Sequence, residues 1–323
     1  MLCYNRQVPS LFLVTGGAGF IGSHVAGRLL ADGHRVRVLD NFSTGSRANL
    51  DLGAARAAHL DVVEGDIRDL GTVEAASRGV DVVFHQAAMR SVPRSVKDPL
   101  GANDNNVTGT LNVLEAARRA GARRVVYASS SSVYGDRPDL PKREDQTPAP
   151  VSPYAVSKAA GEQYAAVWSR LYGVETVGLR YFNVFGPKQD PASEYAAVIP
   201  RFILWALRRA PLEVHGDGTQ SRDFTYIENV VEANLLAGRS PDATGEVFNV
   251  GCGSRVSLLA IIASLERLVG RPLQRNHTPG RAGDVAHTLA DVSKAKRLLG
   301  YTPLVSFDDG LQRTFEFFKG GVA

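Results

Sequence analysis

Cysteine and long apolar runs are both scarce in this chain, and each scarcity narrows what it can be. Only Cys3 and Cys252 occur among 323 residues. They lie far apart and form neither a CxxC pair nor a disulfide framework, so inert packing thiols in a reducing compartment are expected, without structural zinc. The segment from Met1 to Ser10 is polar, and the run Leu11 to Val14 after it is too short for a signal sequence or a membrane span. A cytoplasmic protein with no membrane partner is therefore expected. A basic tail is missing too. The formal charge is +4, with arginines spread along the chain, which argues against nucleic acid but leaves anionic small molecules as ligands. No tandem repeat or low-complexity segment is present. No histidine, cysteine or carboxylate cluster has ligand spacing, so no metal is expected.

What is present is enough apolar material, 44% of the residues against 22% charged, for one large domain or two interleaved ones. Strand-like runs recur at Leu11 to Thr15, Val36 to Leu39, Leu60 to Val63, Val80 to Phe84, Val125 to Ala128 and Thr176 to Leu179. Helical patterns separate most of them, and that alternation predicts an α/β fold with a doubly wound, mostly parallel sheet. Ile21, Val25, Leu29 and Leu30 share one helix face, and Gly33 stops it. Further helices are expected over Asn105 to Ala120 and Ser152 to Tyr172, then Ile199 to Arg209 and Leu258 to Val269. Residues 1–185 are expected to form the main domain and 186–323 mainly a second, smaller α/β lobe. Glu246 to Val250 reads as one more strand, so a segment of about 224–250 is expected to rejoin the main sheet and interleave the two.

Gly16, Gly19 and Gly22 follow the first strand directly and open the first helix. Glycines there let the backbone approach a pyrophosphate, whose charge the free amides and the positive helix end would hold. Tight turns need glycine for structural reasons as well, so the triplet alone is weak. Asp40 ends the second strand, where a carboxylate holds ribose hydroxyls and repels a 2′-phosphate, favouring NAD over NADP. The alternative for Asp40 is a capping turn with Asn41 and Ser43. Asp66 and Ile67 could flank an adenine as acceptor and apolar wall, or Asp66 could cap the next helix.

Tyr154 and Lys158 are four apart on an expected helix, so both project from one face. A phenol titrates near pH 10; a neighbouring ammonium together with an oxidised nicotinamide would favour its phenolate and make it a base at neutral pH. An isolated pair of this kind is by default incidental, but here it follows a glycine loop and the serine run Ser129 to Ser132. That run leaves the fifth strand at the sheet edge where open α/β proteins bind ligands. His85 ends a strand and reads as a satisfied core or cofactor-adjacent histidine.

Several segments together resemble one family, the extended short-chain dehydrogenases/reductases that epimerise, dehydrate or decarboxylate nucleotide sugars. They are the glycine loop, His85-Gln86-Ala87-Ala88, Asp104-Asn105-Asn106-Val107, Ser129 through Gly135, Tyr154 through Lys158, Arg180-Tyr181-Phe182-Asn183, Gly216 through Phe224, and Arg281-Ala282-Gly283-Asp284. The likeness spans nearly the whole chain and is greatest to the UDP-hexose 4-epimerase branch. It implies a Rossmann fold and an NAD-dependent isomerase that oxidises and reduces C4 of a UDP-sugar.

The resemblance also implies roles. Phe20, Ile21, Asn41, Ala87 and Asn105 join the glycines, Asp40, Asp66, Ile67, Tyr154 and Lys158 around the cofactor. Ser130 matches the catalytic hydroxyl position and Ser132 a second sugar contact, with Ser129 and Ser131 structural. Arg90 and Ser91 lie toward the substrate, Arg90 polarising the site or forming a local salt bridge. Asn183, Arg222 and Arg281 would hold the diphosphate, Val198 and Ile199 would pack on uracil, and Asp284 would support ribose or Arg281. Thr288 occupies a position that limits the C2 substituent and is small enough for an N-acetyl group. Ser131-Ser132 replace the acidic pair of 4,6-dehydratases, which disfavours dehydration. Two rival readings stand: a UDP-glucuronate 4-epimerase or decarboxylase, and a non-catalytic NAD-sensing regulator. A homodimer through the helices at 105–120 and 152–172 is a further implication.

Overall fold

The computed structural model describes residues 10–191, 197–279 and 285–322. In the first strand, β1 (Leu11–Thr15), Phe12 and Val14 enter one core while Leu13 enters another, the period-two pattern of a strand covered on both faces. The same alternation sends Val36 and Val38 to one side of β2 (Arg35–Asp40) and Leu39 to the other. The remaining strands of this sheet are β3 (Leu60–Glu64), β4 (Val82–His85), β5 (Arg124–Ser130), β6 (Glu175–Tyr181) and β7 (Val247–Val250). All pair in parallel in the order β7-β6-β5-β4-β1-β2-β3. The order reverses between β1 and β4, which opens a crevice at the carboxyl ends of those strands.

Helices cover both faces. On one side α1 (Phe20–Ala31) packs Val25, Ala26, Leu29 and Leu30 against the sheet. On the other, α2 (Leu70–Ser77) and α3 (Gly109–Ala120) bury Val73, Ala76, Val113 and Leu114. The long α4 (Pro153–Tyr172) starts as its sequence dictates: Ser152 Oγ accepts from Ala155 N at 3.2 Å, Pro153 takes the first turn, and Gly173 ends it at φ 71°.

The helix expected from Asn105 begins earlier. Asp98 caps a turn at Pro99–Asn103 that runs through a π-helical segment, Asp104–Thr108, into α3. The polar run hides this helix from an amphipathic reading, because Asn106 is buried for its hydrogen bonds: its side chain pairs with both N and O of Met89 and donates to Ser157 Oγ.

Beyond Gly186 the chain builds a smaller lobe around α5 (Val198–Leu207), α6 (Ile227–Arg239), α7 (Leu258–Val269) and α8 (Phe307–Val322). Short strands join it: Leu212–His215 with Arg275–Thr278, Ser221–Arg222 with Val256–Ser257, and Val184–Phe185 with Thr225–Tyr226. Helix α6 also lies on the main sheet, since Val230, Ala233 and Ala237 share a core with Phe84 and Val126. Among the described residues no helix is long and apolar enough to cross a membrane.

Candidate active site

The crevice starts at the glycine loop. Gly16 sits at φ 67°, donates to Leu39 O at 2.8 Å, and leaves so little room that a Cβ would lie 2.6 Å from Ala87 N. A Cβ on Gly22 would meet Gly16 O at 2.2 Å. Only glycine permits this close pass. Gly19 precedes α1 without a side-chain cap, so the first amides of the helix stay available to an anion. Phe20, Ile21, Asn41, Ala87 and Asn105 line the same cleft together with Gly16, Gly19 and Gly22.

Asp40 is buried at the end of β2 and also lines the cleft. Its Oδ2 accepts from Ala18 N at 2.9 Å and its Oδ1 from Phe42 N at 2.8 Å. Asp40 thus starts a turn after β2 while its side chain lines the cleft. A bare glycine loop, an open helix end and this carboxylate are the set a dinucleotide requires, so the residues present fit NAD.

Asp66 needs correction. Ile67 is buried and lines the cleft, but the Asp66 carboxylate turns to Arg68 and Asn41, the latter at 2.8 Å. The Arg68 hydrogen bonds hold it well below the usual carboxylate range. Asp66 does not cap the next helix, which Asp69 does.

Tyr154 and Lys158 both project from α4 into the cleft. Lys158 is 4% exposed, and its Nζ donates to Ala128 O at 2.7 Å. Burial lowers it to about 7, with the charge of Glu162 opposing. Ser130 acts on the Tyr154 phenol from the serine run and favours its ionised form. The chain's own groups hold this phenol above its ordinary value: burial raises it, and Ser130 and the charge of Arg90 only partly offset that. Lys158, itself lowered by burial, is not among the groups that lower Tyr154, so positive charge brought by the ligands would favour the phenolate. Ser130 Oγ accepts from Ser132 N at 3.2 Å and Ser132 Oγ at 2.9 Å, which ties these two serines together at the end of β5. Ser129 instead points inward and donates to Glu162.

His85 is 1% exposed and bridges Thr15 Oγ1 at 2.7 Å and Thr110 Oγ1 at 3.0 Å. Burial, then the charge of Lys158, lowers it to about 3, so it stays neutral and serves the core.

Arg90 lines the cleft and an adjoining cavity that also holds Ser91, Arg94 and Asn105. Ser91 spends its hydroxyl on Arg94 N, capping a short helix. A second pocket lies in the smaller lobe. Asn183, Val198, Ile199 and Arg222 line it, and Phe202, Gln220 and Phe224 supply walls that the sequence reading missed. Asn183 Nδ2 also donates to Thr288 Oγ1 at 3.3 Å and to Asp223 O at 3.4 Å. Arg222 Nη1 donates to Ser221 O and Ala286 O. Arg281 and Asp284 lie outside the described residues.

Other cleft residues were missed too. Ser43, Thr44 and Gly45 line the cleft after Asp40, and their small polar composition was the signal. Gln86 and Tyr181 line it as well, tied through Asn234, which accepts from Gln86 Nε2 at 2.9 Å.

A model of the NAD dependent epimerase/dehydratase family matches residues 12–251. A UDP-glucose 4-epimerase of Mycolicibacterium smegmatis is 41% identical over 309 residues, covering 95% of this chain and 98% of that protein. The solved UDP-N-acetylglucosamine 4-epimerase of Methanobrevibacter ruminantium, in complex with UDP-N-acetylmuramic acid, matches with a TM-score of 0.92 at 36% identity, over 97% of this chain and 99% of that one. The UDP-glucuronic acid 4-epimerase of Bacillus cereus, in complex with UDP-glucuronic acid and NAD, matches with a TM-score of 0.86 at 35% identity, over 96% and 99%. A cleft shaped for a dinucleotide, a doubly wound sheet and a family match over most of the sequence lead to one conclusion: the chain belongs to the NAD-dependent epimerase/dehydratase family.

Proposed function

We propose that this protein inverts C4 of a UDP-hexose, UDP-glucose and UDP-galactose with room for their N-acetylated counterparts, through a transient 4-keto sugar. The observation that carries the reading is Tyr154 and the buried Lys158, one turn apart on α4 and both lining a cleft that fits NAD. Bound NAD supplies a reversible hydride acceptor for C4. Tyr154 takes the proton of the 4-hydroxyl and later returns it, while Ser130 holds the reacting oxygen. Lys158 keeps the phenol oriented and adds positive charge on its side of the site. In the second pocket Asn183, Arg222 and the apolar pair Val198 and Ile199 would hold the uridine diphosphate, with Arg281 and Asp284 joining by resemblance. Anchoring there leaves the sugar free to turn between the two proton transfers, so the net reaction is redox-neutral.

The names of the similar proteins support the sugar nucleotide, and the likeness to the Bacillus cereus enzyme keeps a UDP-uronate as a second reading. Serines in place of an acidic pair argue against dehydration.

The purified protein, incubated with each UDP-sugar and no added cofactor, should equilibrate its C4 epimers by NMR, and Tyr154→Phe should lose about a thousandfold in kcat while remaining folded. Obligatory consumption of external NAD, loss of carbon dioxide, or full activity in the Phe variant would each reject the reading.

The working unit is proposed to be a homodimer. Val156, Tyr164, Val167 and Leu171 form an exposed stripe on α4, and Val96 and Leu100 on the turns packed against it extend that stripe.

A further inference from the structure

The α4 face that carries Tyr154 and Lys158 continues one turn further to Glu162. This carboxylate is 5% exposed and fully engaged. Arg180, from β6, donates Nε to Oε1 at 2.9 Å and Nη2 to Oε2 at 2.8 Å, and Ser129, from β5, donates to Oε1. Arg180 lies over the Tyr134 ring at 4.7 Å, so Ser129 on β5 and Tyr134 in the turn that follows it hold the pair.

A buried ion pair of this kind seldom improves stability over apolar packing, because desolvation consumes the Coulombic gain. Its position suggests another use. Lys158 faces Tyr127, whose ring centroid is 5.1 Å from Nζ, and neutral His85, with Tyr154 on the cleft side and the Arg90 cation beyond it. Among the described groups acting on Lys158 by charge, Glu162 is the anion. Its carboxylate is shared with Arg180.

We propose that Glu162, clamped by Arg180 and Ser129, is a positioning residue that keeps Lys158 charged beside Tyr154, and that the clamp sets how much of that negative charge Lys158 feels. The proposal rests on reading Tyr154 and Lys158 as the acid–base pair. Burial pulls Lys158 to about 7 while Glu162 opposes it, so near neutrality a modest change in this field alters the fraction charged.

The experiment is an NMR titration of 13Cε-labelled lysine in the whole protein, with the Lys158 resonance assigned by its disappearance in Lys158→Arg, read beside the pH profile of kcat/KM. In Glu162→Gln, Lys158 should titrate about one pH unit lower. The alkaline limb of kcat/KM should move with it, costing about tenfold near pH 8 with KM for the UDP-sugar little changed. If that variant does not fold, the double variant E162Q/R180Q, which leaves no buried charge unpaired, should show a smaller shift of the same sign. A Lys158 titration unmoved in whichever variant folds overturns the proposal, whatever its activity. Because the titration does not depend on turnover, failure of the epimerase reading and failure of this inference give different results.

Discussion

Thr288 Oγ1 accepts a hydrogen bond of 3.3 Å from Asn183 Nδ2 and one of 3.4 Å from Asp223 N. The small side chain at 288 therefore braces the asparagine that lines the second pocket, and its size limits what lies beside that asparagine. Replacing it with a bulky ring should contract the space offered to a sugar's C2 substituent. Thr288→Tyr is expected to reduce turnover of UDP-GlcNAc about tenfold or more relative to UDP-glucose, measured as kcat/KM for both sugars. An unchanged ratio would sink the assignment of Thr288 to specificity.

His85 gives a prediction about acid stability. Its folded value of about 3 lies below the ordinary 6.5, so the unfolded chain binds this proton first as pH falls. The contribution of His85 is complete above about pH 6.5 and declines toward about pH 3, at about 1.4 kcal/mol per pH unit. Asp223, raised to about 6 mainly by burial, works in the opposite direction over part of that window. The comparison must therefore be between wild type and His85→Gln. Urea unfolding across this range should show a shallower acid decline for the variant; parallel curves would contradict the buried neutral imidazole.

Leu171 is 67% exposed at the far end of the apolar stripe on α4. Leu171→Asp places a charge in the proposed contact while touching nothing in the cleft. Sedimentation should show a dimer for the parent and a monomer for the variant, with both folded by circular dichroism. A parent that sediments as a monomer at assay concentrations would remove the dimer proposal.

The sequence showed much of the scaffold, for identifiable reasons. Leu11–Thr15 and Leu258–Val269 match their expected spans because each is apolar, periodic and bounded by turn or cap residues. The helical start before Asn105 was illegible, since its polar residues give no amphipathic pattern and Asn106, the buried one, is held by hydrogen bonds that such a pattern does not encode. Gln86 and Asn234 meet across 148 residues, and no local signal marks such a pair. The motifs placed Tyr154, Lys158 and the glycines in one cleft, but they said nothing of desolvation, which dominates the titration of both Tyr154 and Lys158. Asp66 shows a local limit: as a helix cap it is displaced by Asp69, whose side chain accepts from Gly71 N.

The chain leaves the main sheet after β6, builds much of the smaller lobe, and only then returns as β7 to pair along β6. During synthesis the nucleotide-binding half must therefore wait, with an open hydrogen-bonding border, for a strand made well after it. Truncation behind β6 would leave that border permanently bare and turn a soluble fragment into a template for stacking copies of itself. The late strand ties the second half of the chain into the main sheet, so neither half is expected to be recovered intact without the other.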